Sequence, residues 1–217
     1  MEKININKIL NREEIFTKIK DFLINFESNK SDLLNKRCIY LYGPPGSGKT
    51  YFINNLLNSL NYDIISYNSS EIRNKLIIES LNKYNISTKN VLSLFNKDKK
   101  PICILMEEIE GMNNGDKGGL STLIKLARPK KTKTQKLEEF IQVPLIIIGD
   151  IFIDKKIKEL IKISFEFELK SPTDSEIEKI LTSIINFGDD KISLNNMINY
   201  CQNDLRKISL IYSIYKK

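Results

Sequence analysis

One eight-residue segment constrains the fold of this chain more than any other. Residues 43–50 read Gly-Pro-Pro-Gly-Ser-Gly-Lys-Thr, directly after the apolar run 37–42 and before residues 51–60, whose apolar positions have helical spacing. Glycines let the backbone wrap closely around an anion, so that several N–H groups and the N-terminus of the following helix face it. The spacing of Gly43, Gly48, Lys49 and Thr50 therefore predicts a strand, a phosphate-binding loop and a helix in direct succession.

The rest of the chain continues this alternation of strands and helices. Short apolar runs predict further strands at 63–67, 102–106, 143–148 and 165–169. Helical spacing predicts helices at 12–26, with Asn11 as N-cap, and at 71–83, 91–95, 120–126 and 155–163. After residue 172 only helices are predicted, at 173–186, 193–200 and 203–215. We expect an α/β domain with a five-stranded parallel sheet over residues 1–170, followed by a small helical lid over residues 171–217.

The composition excludes several kinds of protein and active site. The 217 residues contain no histidine, so a Ser-His-Asp triad or a His-containing zinc site is excluded. The three cysteines are far apart and flanked by apolar residues, which indicates buried thiols in a reducing compartment. We expect no secretion signal, and no membrane association because the apolar run 143–149 is too short to cross a bilayer. The net charge of +7 favours an anionic partner such as nucleic acid, although A/T-rich codons also explain 29 Lys and 36 Ile.

The glycine-rich segment predicts ATP and Mg²⁺ as ligands. Lys49 is expected to reach the β- and γ-phosphates, and the Thr50 hydroxyl to hold Mg²⁺. The alternative is a glycine-rich connection that matches the pattern by chance. The candidate nucleotide-binding residues are Gly43, Pro44, Pro45, Gly46, Ser47, Gly48, Lys49, Thr50 and Tyr51.

Two acidic residues follow the predicted strand 102–106. We expect Glu107 to hold the water shell of the Mg²⁺ ion and Glu108 to polarise the attacking water, because phosphoryl transfer depends on positioning and charge stabilisation. The alternative is a solvated turn, which is the usual role of an acidic pair at a strand end.

Two further polar residues are candidates for the catalytic site. Asp150 follows the fourth predicted strand, where its carboxylate could orient water between the γ-phosphate and Glu108. Arg206 begins the last predicted helix and could reach the γ-phosphate from the lid. A capping aspartate and a surface arginine are the alternative interpretations.

Together these elements resemble the AAA+ ATPases, and in detail the large subunit of replication factor C, the eukaryotic sliding-clamp loader. Four stretches carry this resemblance, between about residues 12 and 215. They are residues 67–73, similar to the family's Asn-Ala-Ser-Asp-x-Arg; residues 106–112, similar to Met-Asp-Glu-Val-Asp-Gly-Met; residues 116–120, similar to Asp-Arg-Gly-Gly-Ile; and residues 203–206, similar to its sensor-2 segment.

The resemblance implies a function and partners. ATP binding would close a ring of clamp-loader-type AAA+ subunits that opens a sliding clamp on primer-template DNA, and hydrolysis would release both. Two alternatives stay open: an ATP-gated scaffold with weak or no hydrolysis, and another AAA+ ATPase of DNA replication. We expect an intracellular protein, in the nucleus of a cellular eukaryote or at a cytoplasmic replication site if viral.

The sequence also departs from that family. Glu107 replaces the usual aspartate, Asp150 replaces the sensor-1 asparagine, and residues 129–139 form an insertion. We expect the chain to lack the family's helical collar after the lid. Residues 158–165 contain no arginine, so the chain is expected to receive an arginine finger from a neighbour without donating one, and to hydrolyse ATP slowly alone.

Residues 128–136 form a basic segment with five positive charges in nine positions. This segment could follow a DNA backbone, together with Lys117 and Lys125. The alternative is a solvated loop that is rich in lysine because of codon bias.

Overall fold

Five strands and nine helices are present in the part of the chain that the structure describes. The computed structural model describes residues 6–68, 100–110, 119–136, 138, 140–150, 155–185 and 191–215. The strands are β1 Cys38–Tyr42, β2 Asp63–Tyr67, β3 Ile102–Met106, β4 Leu145–Gly149 and β5 Ser164–Glu168. The helices are α1 Ile6–Ile9, α2 Glu13–Ser28, α3 Lys49–Ser59, α4 Gly119–Ala127, α5 Lys133–Lys136, α6 Lys155–Ile163, α7 Asp174–Ile184, α8 Lys191–Cys201 and α9 Leu205–Tyr215.

The five strands form one parallel sheet in the order β2-β3-β4-β1-β5. This confirms the predicted α/β fold with a five-stranded parallel sheet. Because all strands run the same way, the carboxyl ends of β1, β3 and β4 meet at one edge of the sheet. Binding sites of such sheets form at this edge, and here it carries the loop after β1 and the acidic residues after β3.

Apolar side chains alternate along the strands and bury both faces of the sheet. Helices α2 and α3 cover one face through residues such as Leu23 and Phe52, which pack on Ile39 and Ile146. Helices α4 and α6 cover the opposite face. A parallel sheet buried on both faces needs the near-continuous apolar strands from which it was predicted.

A third apolar cluster lies in the helical lid. Helices α7, α8 and α9 share buried residues such as Ile180, Cys201 and Ile208. Thr173 starts α7 with a capping box, because its side chain accepts the N–H of Glu176 while the Glu176 side chain accepts the N–H of Thr173. Leu10, which follows α1, also packs into this cluster, so the N-terminal residues support the lid.

Some local predictions were wrong. Arg12, not Asn11, occupies the N-cap position of α2, and no side chain caps that helix. Asn11 has a φ of 53° and its amide reaches the Glu176 carboxylate instead. The predicted helices at 71–83 and 91–95, most of the loop 111–119, and Lys117 lie outside the described residues.

The three cysteines are buried, as predicted, and none forms a disulfide. Burial raises the pKa of the Cys38 thiol to about 11. Burial also raises the pKa values of Cys103 and Cys201. Such thiols stay protonated near neutral pH and are poor nucleophiles.

Candidate active site

The predicted phosphate-binding loop, residues 43–50, leads from β1 into the first two residues of α3 and contains two glycines in left-handed conformation. Gly46 has a φ of 77°, and Gly48, which directly precedes α3, has a φ of 83°. Residues with a Cβ atom rarely adopt such φ values. A Cβ at Gly46 would also overlap the carboxylate of Asp204. The loop conformation therefore requires glycine at both positions; the sequence pattern predicts the glycine at Gly48 but leaves position 46 open.

Lys49 holds its ammonium over this loop. Its Nζ donates to the backbone oxygens of Gly43 at 2.6 Å and Pro44 at 3.1 Å, and to Oδ1 of Asp150 at 3.0 Å. The Lys49 side chain is only 11% exposed. The cation is thus held at the mouth of the loop, where an anion would replace Asp150 as its partner.

Thr50 and Glu107 bring two oxygen atoms together that could act as metal ligands. The Thr50 hydroxyl donates to Oε2 of Glu107 at 3.0 Å, which connects the start of α3 to the end of β3. A hydroxyl and a carboxylate suit a hard cation such as Mg²⁺. Within the described ranges no group of three or more acidic or cysteine side chains could hold a metal. At nucleotide sites, Mg²⁺ is usually held by one or two protein side chains together with phosphate and water.

Glu108 occupies a strained position beside this pair. Its backbone has a φ of 54°, in the left-handed region that non-glycine residues seldom adopt. Strain of this kind costs on the order of 1 kcal/mol or more and is common at functional sites. Its side chain is exposed and lines the same cavity as Glu107.

Arg206 reaches the site from the lid. It lines the cavity, but Nε and Nη2 are bound to the Asp204 carboxylate at 2.9–3.1 Å. The Asp204 pKa is lowered, chiefly by its hydrogen bonds with the Arg206 side chain. The Arg206 side chain is 71% exposed, so its guanidinium is accessible to a ligand.

The lid also contacts the phosphate-binding loop directly. The backbone N–H of Leu205 donates to the backbone oxygen of Gly46 at 2.9 Å. Together with the packing of Asp204 on Gly46, this bond sets the start of α9 against the loop. The lid is therefore connected to the loop by contacts between main-chain atoms as well as side chains.

A cavity of about 510 Å³ collects these groups and is called the loop cavity below. Its size is within the range of small-molecule sites. The predicted residues that line it are Pro45, Gly46, Gly48, Lys49, Thr50, Tyr51, Glu107, Glu108, Asp150 and Arg206. Gly43, Pro44 and Ser47 do not line it. The backbone oxygens of Gly43 and Pro44 accept hydrogen bonds from Lys49, and Ser47 is buried.

Sequence reasoning missed four residues that line the loop cavity: Asn54, Glu110, Ile148 and Gly149. Asn54 lies four positions after Thr50 on α3, a spacing that places both on one helix face. That signal could have found it. Glu110 lies within residues 106–112, one of the stretches that resemble the family, but that resemblance assigns it no role.

The basic segment is partly used inside the protein. Lys130 is 0% exposed, and its Nζ donates to Glu138 at 3.0 Å and to the backbone oxygen of Lys125 at 2.7 Å. Arg128 also binds Glu138, at 2.6 and 2.8 Å. Lys130 therefore cannot take part in the DNA contact considered for this segment, since a buried ammonium cannot reach a ligand outside the protein. Lys131, Lys133 and Lys136 are exposed.

A larger cavity, about 670 Å³, lies between α2 and β5. Its lining mixes aromatic side chains such as Phe22 and Phe165 with both lysine and aspartate. It contains neither the phosphate-binding loop nor the acidic residues after β3, so the loop cavity is the better candidate for nucleotide chemistry.

Comparison with known proteins agrees with the fold. The model of the ATPase family associated with various cellular activities (AAA) matches residues 39–169. Replication factor C subunit 1 of Saccharomyces cerevisiae is 26% identical over 223 residues, covering 94% of this chain and 25% of that protein. The replication factor C large subunit of Nanoarchaeum equitans is 25% identical over 194 residues, covering 89% of this chain and 40% of that protein.

Human replication factor C subunit 1 is 26% identical over 190 residues, covering 83% of this chain and 16% of that protein. This chain thus spans less than half the length of each of these relatives. A solved structure of C. elegans PCH-2 matches 78% of this chain and 45% of that chain with a TM-score of 0.54 at 17% identity, which supports the fold alone. No described helix is long and apolar enough to cross a bilayer.

Proposed function

Since this chain belongs to the family of ATPases associated with various cellular activities, we propose that it binds ATP and Mg²⁺ in the loop cavity and hydrolyses the nucleotide. The observation that carries this proposal is the convergence of Lys49, the Thr50–Glu107 pair and Arg206 on one cavity of nucleotide size. Each of these groups fits one part of a metal-bound triphosphate.

The residues divide the work of phosphoryl transfer. Backbone N–H groups of the loop and the ammonium of Lys49 bind the phosphates, which replace the Asp150 carboxylate as the partner of Lys49. Thr50 and Glu107 hold Mg²⁺, which when bound neutralises charge on the phosphates. Glu108 accepts a hydrogen bond from the attacking water and polarises it. Arg206 exchanges Asp204 for the terminal phosphate.

We further propose a clamp-loader-type role, in which ATP binding and hydrolysis load a sliding clamp on primer-template DNA. Support comes from relatives named replication factor C large subunit and subunit 1, whose similarity covers most of this chain. The proposed partners are other clamp-loader-type AAA+ subunits, the clamp and the DNA, and the proposed location is the cellular compartment where replication occurs.

A weakly hydrolysing, ATP-gated scaffold is the second candidate. It is favoured by Asp150, whose carboxylate lies 3.0 Å from Lys49 and would repel the terminal phosphate that the family's sensor-1 asparagine would contact. In that case the chain would bind ATP and assemble with partners without appreciable turnover.

Assembly is expected to complete the site. Residues 158–165 contain no arginine, so we propose that a neighbouring subunit supplies the arginine finger and that ATP bridges the two subunits. Sedimentation with and without a non-hydrolysable ATP analogue, alone and with candidate subunits, tests this. A stable nucleotide-free homo-oligomer would instead favour a self-assembling ring.

The deciding experiment is ATP turnover with and without a sliding clamp and primed DNA, in the presence of subunits that co-purify with the chain. Stimulation by clamp plus primed DNA supports the clamp-loader role. ATP binding with no stimulated turnover supports the scaffold, and stimulation by DNA alone supports another replication ATPase. Lys49→Ala is the matched control, since it removes the phosphate contact and should strongly reduce every one of these signals.

A further inference from the structure

Two side chains form hydrogen bonds with the backbone of Asp150. Its N–H donates to Oε1 of Glu110, and its carbonyl oxygen accepts a hydrogen bond from the Tyr40 hydroxyl at 3.4 Å. Both polar main-chain groups of this residue are therefore fixed by side chains from other parts of the chain.

The two side chains come from separate parts of the sheet and its loops. Tyr40 lies within β1, Glu110 follows β3, and Asp150 directly follows β4. Tyr40 is fully buried, so its hydroxyl needs a hydrogen-bond partner inside the protein. Burial raises the pKa of Tyr40, and the nearby Glu110 and Asp150 carboxylates raise it further, which keeps the phenol protonated as a donor.

Gly149 makes this arrangement sterically accessible. A Cβ at this position would collide with the Tyr40 hydroxyl and would lie 2.6 Å from Oε1 of Glu110. A side chain at residue 149 would thus displace both groups that hold Asp150. The absence of a side chain at Gly149 therefore leaves room for both contacts.

We propose that Glu110 is a positioning residue that fixes the Asp150 main chain, so that the Asp150 carboxylate is presented to Lys49. The Asp150 side chain is 51% exposed, and its direction depends on how its backbone is held. Its Oδ1 then lies 3.0 Å from Nζ of Lys49 at the mouth of the loop. Glu110 acts through Asp150 and is not assigned to the reacting atoms.

The consequence for turnover rests on the proposed ATPase function. If Asp150 orients water beside Glu108, a shift of its backbone displaces that water. A displacement of about 1 Å can reduce turnover by about 100-fold. Nucleotide affinity, which depends on Lys49 and the loop amides, should change little.

Amide hydrogen exchange tests the positioning without nucleotide. In Glu110→Ala the Asp150 amide should exchange at least about tenfold faster than in the wild type, because its acceptor is lost. In Glu110→Gln, which keeps an oxygen acceptor, exchange should stay within about threefold of the wild type. Glu178→Ala, an exposed carboxylate on α7, is the matched control and should leave the Asp150 amide unchanged.

Single-turnover kinetics with protein in excess test the functional consequence. Glu110→Ala should lower the turnover constant at least about tenfold with the ATP dissociation constant within twofold of the wild type, and Glu110→Gln should restore most of the rate. Tyr40→Phe keeps the ring and removes only the donor to Asp150, so it should lower turnover in the same way. It also provides the test if Glu110→Ala does not fold.

Unchanged Asp150 exchange in Glu110→Ala, or unchanged turnover in both Glu110→Ala and Tyr40→Phe, would overturn the inference. A loss in Glu110→Gln as large as that in Glu110→Ala would also count against it, because the acceptor would then be irrelevant. A wild type that binds no ATP would overturn the proposed function alone, since the amide measurement needs no nucleotide.

Discussion

The hydroxyl of Thr50 donates a hydrogen bond to Oε2 of Glu107 across 3.0 Å, joining the first turn of α3 to the end of β3. If this pair holds Mg²⁺, Thr50→Ala should raise the Mg²⁺ concentration needed for half-maximal nucleotide binding by about tenfold or more. Thr50→Ser keeps the hydroxyl and should behave like the wild type. Titration of Mg²⁺ against a fluorescent ATP analogue measures both; equal midpoints for all three proteins would exclude Thr50 as a ligand.

Lys49→Ala should strongly weaken ATP binding while leaving the fold intact. A charge-assisted hydrogen bond contributes about 1.5–3 kcal/mol, which corresponds to a loss of roughly 10- to 100-fold in affinity. Isothermal titration calorimetry measures the affinity and circular dichroism the fold. Lys162→Ala, an exposed lysine at the end of α6, is the control. ATP affinity equal to that of the wild type would remove the basis of the nucleotide assignment.

Glu108→Gln should separate binding from hydrolysis. The glutamine keeps the size of the side chain but cannot polarise water as a carboxylate does, so turnover should fall by about 100-fold or more. ATP affinity should remain within a few-fold of the wild type. Product formation under single-turnover conditions is the measurement, and undiminished turnover would show that another group activates the water.

Much of the fold could be predicted because its signals are local. Strands β2 and β3 and helix α6 have the predicted bounds, since short apolar or periodic runs with polar flanks define them. The strand predicted at 143–148 begins at Leu145 instead. The cap at Asn11 failed because its side chain binds Glu176, 165 positions along the chain.

In the candidate site, too, residues marked by a local sequence pattern could be predicted, and residues whose role depends on contacts far along the chain could not. The sequence pattern predicts that the loop residues and Glu107 lie close together, and most of them line the loop cavity. Glu110 was missed because its role depends on Asp150, 40 positions away, and no periodicity connects the two. The basic segment could not be interpreted correctly from composition, because the burial of Lys130 depends on the fold around Glu138.

Glu138 should make the stability of this region depend on pH. Hydrogen bonds from Arg128, then from Lys130, lower the pKa of Glu138 from 4.5 to about 2. Its contribution to folding is therefore fully present above pH 4.5 and is lost as the pH falls towards 2. Urea unfolding of the wild type and Glu138→Gln over this range should show a difference in free energy of unfolding that shrinks with falling pH. A constant difference would mean that the charge on Glu138 contributes nothing.

The exposed lysines of the basic segment remain candidates for DNA contact. Replacing Lys131, Lys133 and Lys136 with serine should weaken DNA binding equally for different sequences and reduce the salt dependence, because phosphate contacts release counterions without recognising bases. Lys130 is left in place, since its buried ammonium supports the fold. Fluorescence anisotropy at several salt concentrations measures both quantities. If neither changes, the segment is a solvated loop.

The hydrogen bond from Leu205 to Gly46 gives the protein a reciprocal property. If an anion bound to the loop changes the equilibrium constant for contact between lid and loop, then that contact must change the affinity for the anion by the same factor. A partner protein that binds α9 would therefore raise or lower the affinity for the nucleotide without contacting the nucleotide. By the same factor, a bound nucleotide would change the affinity of the lid for that partner.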